Sequence, residues 1–202
     1  MTKIKICGIT TNEELEFLNI LQPDYIGFVF SNSKRKVTIE QSRKLSSFAD
    51  KHIAKVGVFV NETIEYVMEA AEAAALDIIQ LHGDETQAYM DKLKGIKLWK
   101  AFGIESYEDV KRAYEYKLHG IVFDSIVNGR SGGTGKTFDW NMLKEFNRSS
   151  QLILAGGLNK SNVKDAIKAA QPDIVDVSGG VEKHGIKDFI MCKDFISEVR
   201  KI

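Results

Sequence analysis

Cys7 closes the alternating run Lys3-Ile4-Lys5-Ile6-Cys7, in which Ile4 and Ile6 share one face while Lys5 and Cys7 share the other. A thiol on the same face as an ammonium group can have its pKa depressed and gain reactivity. Asp124 stands where the apolar run Ile121-Val122-Phe123 stops. It lies several residues before the next helical pattern, too far away to cap it. Arg35, between Lys34 and Lys36, carries a planar fork suited to gripping a carboxylate through two parallel hydrogen bonds. Gln80 and His82 share a strand face within QLHGDE. The pairs Gly156-Gly157 and Gly179-Gly180, the second preceded by Ser178, let backbone amides approach phosphate oxygens closely. These residue types suit a small phosphorylated molecule held beside a thiol and an acid.

One stretch invites a different reading. In HGIVFDSIVNGRSGGTGKTFDW, Gly135-Lys136-Thr137 resembles the end of a nucleotide-binding phosphate loop. The register fails, because Arg130 stands five residues before Gly135 and no apolar strand leads directly into the loop. A dinucleotide glycine motif fails too, with Phe138 at the last glycine position. Nucleotide hydrolysis is therefore disfavoured.

The bulk properties narrow the partners. In a chain of 202 residues, 28 basic side chains balance 28 acidic ones, so no general field attracts nucleic acid or a membrane surface. No run reaches the roughly 18 apolar residues of a membrane span, and the N-terminus lacks a secretory pattern, which leads to a cytoplasmic expectation. Two cysteines are too few for a disulfide framework, and four scattered histidines offer no metal-ligand spacing. Cys192 reads as core, on an apolar helix face with Phe189, Ile196 and Val199.

The elements that must position these groups repeat strand then helix. Strands are expected at Lys3–Cys7, Tyr25–Phe30, Ala54–Val60, Asp77–Leu81, Ile96–Ala101, Ile121–Phe123, Leu152–Ala155 and Ile174–Val177. Helices are expected after each, with Thr11 and Glu14 forming a capping box, Asn61 capping the third, and the fourth starting at Glu85. Eight such units in one domain spanning 1–202 favour an α/β fold, a closed (β/α)₈ TIM barrel of parallel strands, over an open doubly wound sheet. In such a barrel chemistry lies at the C-terminal strand ends, and loops after strands seven and eight commonly hold phosphate. All the candidate residues lie there.

With these residues placed, the chain resembles the phosphoribosylanthranilate isomerase family of tryptophan biosynthesis almost end to end. The motifs KICGIT, YIGFVF, Ser33-Lys34-Arg35, VGVFVN, QLHGDE, the acid followed by GGTG, LAGGL and DVSGGVE arrive in the family's order. The resemblance implies an Amadori rearrangement with Cys7 as general base and Asp124 as general acid, without a cofactor. It implies that Arg35 binds the anthranilate carboxylate, that His82 lines the substrate site, with Gln80 on the same strand face, and that the phosphate rests on the Gly132-to-Gly135 backbone (Gly133, Thr134 and Gly135 within it), on Gly156-Gly157 and on Ser178-to-Gly180. Free Asp and Cys titrate near about 3.9 and about 8.5, so this division predicts that apolar surroundings raise Asp124 and that a cation, with Lys5 the candidate, lowers Cys7.

Two positions depart from the family pattern: Lys34 replaces the usual proline, and Gly179 replaces a serine, removing one hydroxyl available to phosphate. The rival readings are another ribose-phosphate barrel enzyme and a catalytically silent phosphate-binding barrel. A monomer and a homodimer are equally compatible with the pattern.

Overall fold

Side chains alternate in direction along each strand, turning one residue set toward the helices and the other toward the barrel axis, and both sets are buried. In a computed structural model, which describes residues 1–116, 118–127, 130–131, 137–144, 146 and 149–202, eight parallel strands close into a barrel surrounded by helices. The strands are β1 Lys3–Cys7, β2 Tyr25–Val29, β3 Ala54–Phe59, β4 Ile78–Leu81, β5 Lys97–Ile104, β6 Gly120–Val127, β7 Gln151–Leu154 and β8 Ile174–Val177. Each pairs with its sequence neighbour. Lys5 aligned with both Tyr25 and Asp176 joins β1 to β2 and β8, which closes the ring.

Ile4, Ile6, Ile26, Phe28, Ile79, Leu81, Ile121, Phe123, Leu152 and Leu154 face outward into the layer between strands and helices and are fully or nearly fully buried. The helices α1 Asn12–Leu21, α2 Ile39–Phe48, α3 Ile64–Ala73, α4 Gln87–Met90, α5 Tyr107–Arg112, α6 Val163–Ala170 and α7 Phe189–Arg200 cover them. Burying each such Leu, Ile or Phe contributes about 1.5–3 kcal/mol. Inside the barrel Tyr25, Val56, Ile78, Trp99, Val122, Ile153 and Ile174 form an apolar floor. Two residues further along the same strands, strand parity brings Gln80, Asp124 and Asp176 into the interior, and on β1 it does the same for Cys7 after Lys5.

The helix starts follow side-chain capping. Thr11 and Glu14 form the expected capping box. Elsewhere the elements differ from the sequence expectations. Asn61 does not cap α3: it adopts φ +53 and Thr63 caps the helix through its hydroxyl. Nor does Glu85 begin α4, which Thr86 caps. Glu85 is buried, accepts from the Asn61 and Gly83 amides, and pairs with Lys100 at 3.0 Å, strapping the loops after β3 and β4 together. A carboxylate with that many buried donors is better satisfied in a loop than in a helical turn.

Strand β6 does not stop at Asp124. It runs on to Val127 and pairs antiparallel with Arg130–Ser131. Its pairing with β7 does end at Phe123, so Asp124 is the first residue past that neighbour, held on the other side by Gly103 of β5. The described residues after it contain a 3-10 turn, Trp140–Leu143, where a longer helix was expected. On α7 the buried face is Cys192, Phe195, Ile196 and Val199. Phe189 is largely outside it and meets Phe17 edge-on. Gly133, Thr134 and Gly135 lie outside the described residues.

Candidate functional site

The C-terminal mouth of the barrel opens into a cavity of about 840 Å³ whose wall includes Cys7, Arg35, Gln80, His82, Asp124, Gly156, Gly157, Ser178, Gly179 and Gly180. The structure therefore brings together every sequence-expected site residue that falls among the described ones. Residues the sequence reading gave no role also line it, notably Asp176 and Glu182.

Cys7 reaches this wall because β1 parity turns it inward and because Gly27 on β2 has no side chain. A Cβ at Gly27 would lie 2.7 Å from the Cys7 Sγ. The carbonyl of Cys7 accepts from the Ser178 hydroxyl at 2.8 Å, tying the end of β1 to the loop after β8. Burial pushes the Cys7 thiol above its usual range, against the pull of Lys5 and Lys187 in the other direction. The expected depression by Lys5 is thus present but outweighed, because desolvation of a buried thiol disfavours its anion more than one shared ammonium can restore.

That ammonium is shared with Asp176. Lys5 Nζ donates to Asp176 Oδ2 at 2.6 Å, and the Lys5 side chain is fully buried. Burial alone would lower the Lys5 pKa, but Asp176 and then Cys7 hold it above the ordinary value. The other Asp176 oxygen, Oδ1, is buried without a hydrogen-bond partner among the described residues. Sequence parity carried a signal for this pair: Lys5 and Asp176 are charges of opposite sign, both inward-facing, in register on neighbouring strands.

Asp124 is buried, with Oδ1 lacking a hydrogen-bond partner among the described residues and Oδ2 3.4 Å from His82 Nε2. Gln80 lies beneath, its Nε2 3.2 Å from His82 Nδ1. With the Gln80 amide donating, Nδ1 is the acceptor and the neutral ring carries its proton on Nε2, directed at Asp124. Gln80 and His82 therefore orient one side of the carboxyl, while Oδ1, buried and unpartnered among the described residues, lies toward Gly156, where an added Cβ would stand 2.9 Å from it.

The anion-binding elements occupy the rest of the mouth. Gly156 and Gly157 adopt φ +85 and +63, which side chains resist, and the Asn159 and Asn162 amides both donate to the Gly157 carbonyl. Gly180 packs so tightly on the preceding loop that a Cβ would stand 1.9 Å from the Leu158 carbonyl oxygen. Gly179 has room: a Cβ there would meet only Arg35 Nη2, at 3.4 Å. No group of three or more His, Cys, Asp or Glu side chains suited to a metal occurs among the described residues.

Arg35 comes from the loop after β2, and its guanidinium is engaged by Glu182. Nε donates to Oε1 at 2.5 Å and Nη2 to Oε2 at 2.8 Å. Lys187 Nζ, fully buried, donates to the same Glu182 Oε1 at 2.5 Å. Burial opposes the charge on Glu182, yet Arg35 and Lys187 hold its carboxyl down to about 2. Burial likewise lowers Lys187, with Glu182 pulling the other way. Sequence reasoning missed Glu182 and Lys187, because they lie in short extended pieces after β8 whose pairing, Glu182–Lys183 against Ile186–Lys187, has no periodic signature.

The comparisons with known proteins agree with this geometry. The profile of the N-(5'phosphoribosyl)anthranilate (PRA) isomerase family matches residues 4–198. An N-(5'-phosphoribosyl)anthranilate isomerase of a Thermoanaerobacter species is 49% identical over 202 residues, covering 100% of each chain. The crystal structure of phosphoribosyl anthranilate isomerase from Thermotoga maritima superposes with a TM-score of 0.93 at 38% identity, again over 100% of both chains. A crystal structure of a phosphoribosyl anthranilate isomerase in complex with reduced 1-(O-carboxyphenylamino)-1-deoxyribulose 5-phosphate has a TM-score of 0.90 at 35% identity, with 100% of each chain covered.

Proposed function

The chain belongs to the N-(5'-phosphoribosyl)anthranilate isomerase family, and from that premise we propose that it catalyses the Amadori rearrangement of N-(5-phosphoribosyl)anthranilate to 1-(2-carboxyphenylamino)-1-deoxyribulose 5-phosphate in tryptophan biosynthesis. The observation that carries this reading is one cavity holding a thiol, a buried carboxyl with a free oxygen, an arginine and two glycine-rich turns.

In this reading Asp124 donates a proton to the furanose ring oxygen as the nitrogen lone pair expels it, opening the ring to a protonated Schiff base. Cys7, as thiolate, removes the C2 proton, and the electrons of that C–H bond move toward the iminium nitrogen to give the enolamine. Ketonisation then needs a proton at C1 and loss of one from the C2 hydroxyl. The proton on Cys7 supplies the first and the Asp124 carboxylate accepts the second, so both groups return to their starting states. Arg35 grips the anthranilate carboxylate, while Gly156-Gly157, Ser178, Gly179 and Gly180, with Gly133, Thr134 and Gly135, receive the phosphate.

The same reading assigns His82 and Gln80 to orient Asp124. Because burial favours the neutral thiol of Cys7, the base depends on Lys5 and Lys187 for its anion. All these groups come from one barrel, so a monomer suffices and a homodimer would carry two independent sites in the cytoplasm.

The test incubates the purified protein with freshly made phosphoribosylanthranilate, without metal or nucleotide, and follows loss of anthranilate fluorescence. Loss with the wild type, falling at least 10³-fold in Cys7→Ala and Asp124→Ala, is the expected result. No enzyme-dependent loss while inorganic phosphate still stabilises the fold would instead favour another sugar-phosphate substrate or a silent barrel.

A further inference from the structure

A guanidinium fixed along one edge recognises a carboxylate along the other, and the surroundings of Arg35 supply that constraint. Five N–H groups are available to an arginine. Glu182 takes the Nε hydrogen and one of Nη2. The opposite edge, formed by Nη1 and the outer hydrogen of Nη2, is left to face other groups, and Arg35 lines the cavity. We infer that Glu182 is a positioning residue for substrate recognition, clamping the inner edge of Arg35 so that its outer edge presents a preformed fork to the aromatic carboxylate. This rests on the isomerase reading of the site.

The clamp is itself anchored. Lys187 Nζ links Glu182 to the Ser178 hydroxyl at 3.3 Å, at the start of the turn assigned to the phosphate. The Lys187 amide donates to Glu14 Oε1 at 2.8 Å. Glu14 Oε2 in turn accepts from the Thr10 and Thr11 amides, just after Cys7. One connected network therefore runs from the carboxylate end of the site through Glu182 to the phosphate turn and the Cys7 loop. Without Glu182, Arg35 is a long side chain on a loop and must be ordered by the substrate itself, which weakens binding. The nearby Lys34 Nζ, 3.4 Å from Glu182 Oε2, is mostly exposed and cannot replace the bidentate clamp.

The experiment compares phosphoribosylanthranilate with phosphoribosylaniline, which lacks the carboxylate, in wild type, Glu182→Gln, Glu182→Asp, Arg35→Lys and the Glu182→Gln/Arg35→Lys double variant. Glu182→Gln should raise KM for the carboxylated substrate roughly 10- to 100-fold with a smaller change in kcat. Its kcat/KM for the aniline substrate should fall at least about fivefold less than that for the carboxylated one, since only the shared phosphate turn and Cys7 loop are disturbed for it, and on the carboxylated substrate the double variant should be no worse than Arg35→Lys alone. Glu182→Asp, which keeps the charge but withdraws it by one methylene, should give an intermediate KM and covers the case in which the glutamine variant does not fold. Equal losses on both substrates, additive losses in the double variant, or a wild-type KM in Glu182→Asp would overturn the positioning role. A wild type inactive on both substrates would instead bring down the isomerase reading, and this inference with it.

Discussion

Replacing Lys5 by Met keeps nearly the same length and volume and deletes one buried charge. Asp176, only 8% exposed, then loses the ammonium its carboxyl faces. Breaking a buried pair in this way costs about 3–5 kcal/mol. For a chain of this size each kcal/mol lowers Tm by roughly 2–4 °C, so unfolding should come on the order of 10 °C earlier. The sign with pH is fixed by Lys5 itself. Its folded pKa is held above 10.5, so the stabilisation is fully present below that value and fades only as pH rises through the folded pKa. The stability gap between wild type and variant should therefore be constant from about pH 6 to 9.

The catalytic effect is separate. A unit charge about 4 Å away at an effective dielectric near 20 is worth on the order of 4 kcal/mol, against about 1.4 kcal/mol per pKa unit. Allowing for screening, losing that charge should push the Cys7 thiol further up, and kcat/KM near neutrality should fall about 10- to 100-fold. The fluorescence assay run as a pH profile at a temperature where the variant is folded reads this directly. Adding Asp176→Asn should recover most of the lost Tm. It also removes a charge that raises the thiol pKa, so the alkaline displacement of the profile should lie between those of wild type and Lys5→Met. A Lys5→Met profile that overlays the wild type in a folded protein would refute the coupling of Lys5 to Cys7.

Other expectations follow from individual positions. Gly180→Ala must push the loop after β8 away from the Leu158 carbonyl, costing about 1–3 kcal/mol and raising KM, seen in denaturant melts and steady-state kinetics. Gly179→Ser meets only Arg35 Nη2, so stability should change by less than about 0.5 kcal/mol while inorganic phosphate binds about fivefold more tightly by titration calorimetry. Unaltered phosphate affinity would mean that no hydroxyl was missing there. Glu182, held near 2 against 4.5, contributes stability that is complete above about pH 4.5 and drains away as pH falls toward 2. After allowance for solvent screening this amounts to about 1–2 kcal/mol, and Glu182→Gln should show no matching loss across that window.

Much of the barrel was legible because strands buried on both faces read as apolar runs separated by capped helices. Ile78-Ile79-Gln80-Leu81 and Ile174-Val175-Asp176-Val177 are such runs, each with a single polar residue. The elements that escaped were those in which tertiary contacts override local pattern. Glu85 has a helical sequence context but serves three donors, one from its own loop, one from the loop after β3 and one from β5, and β6 is prolonged by an antiparallel pairing that periodicity does not register. Phe189 has the spacing of a core residue, yet in the first turn of α7 it stays partly exposed and meets Phe17 edge-on.

The site divides along the same line. Strand parity is enough to place Cys7, Gln80, His82, Asp124 and Ser178 in one cavity, because the inward face of a strand in a closed barrel has nowhere else to point. The Lys5–Asp176 pair was within reach of the same argument, since the two strands are neighbours once the ring closes. The clamp on Arg35 was not. It joins two loops about 150 positions apart in sequence, and nothing in KRK or in SGGVEK says that the arginine's partner is Glu182 rather than a neighbouring acid. What parity also cannot give is the balance between burial and charge at Cys7. Lys5 on the same strand face argues for a depressed thiol. Only the burial of that thiol, with Asp176 sharing the ammonium, reverses the sign and ties the thiolate form to an ion pair one strand away.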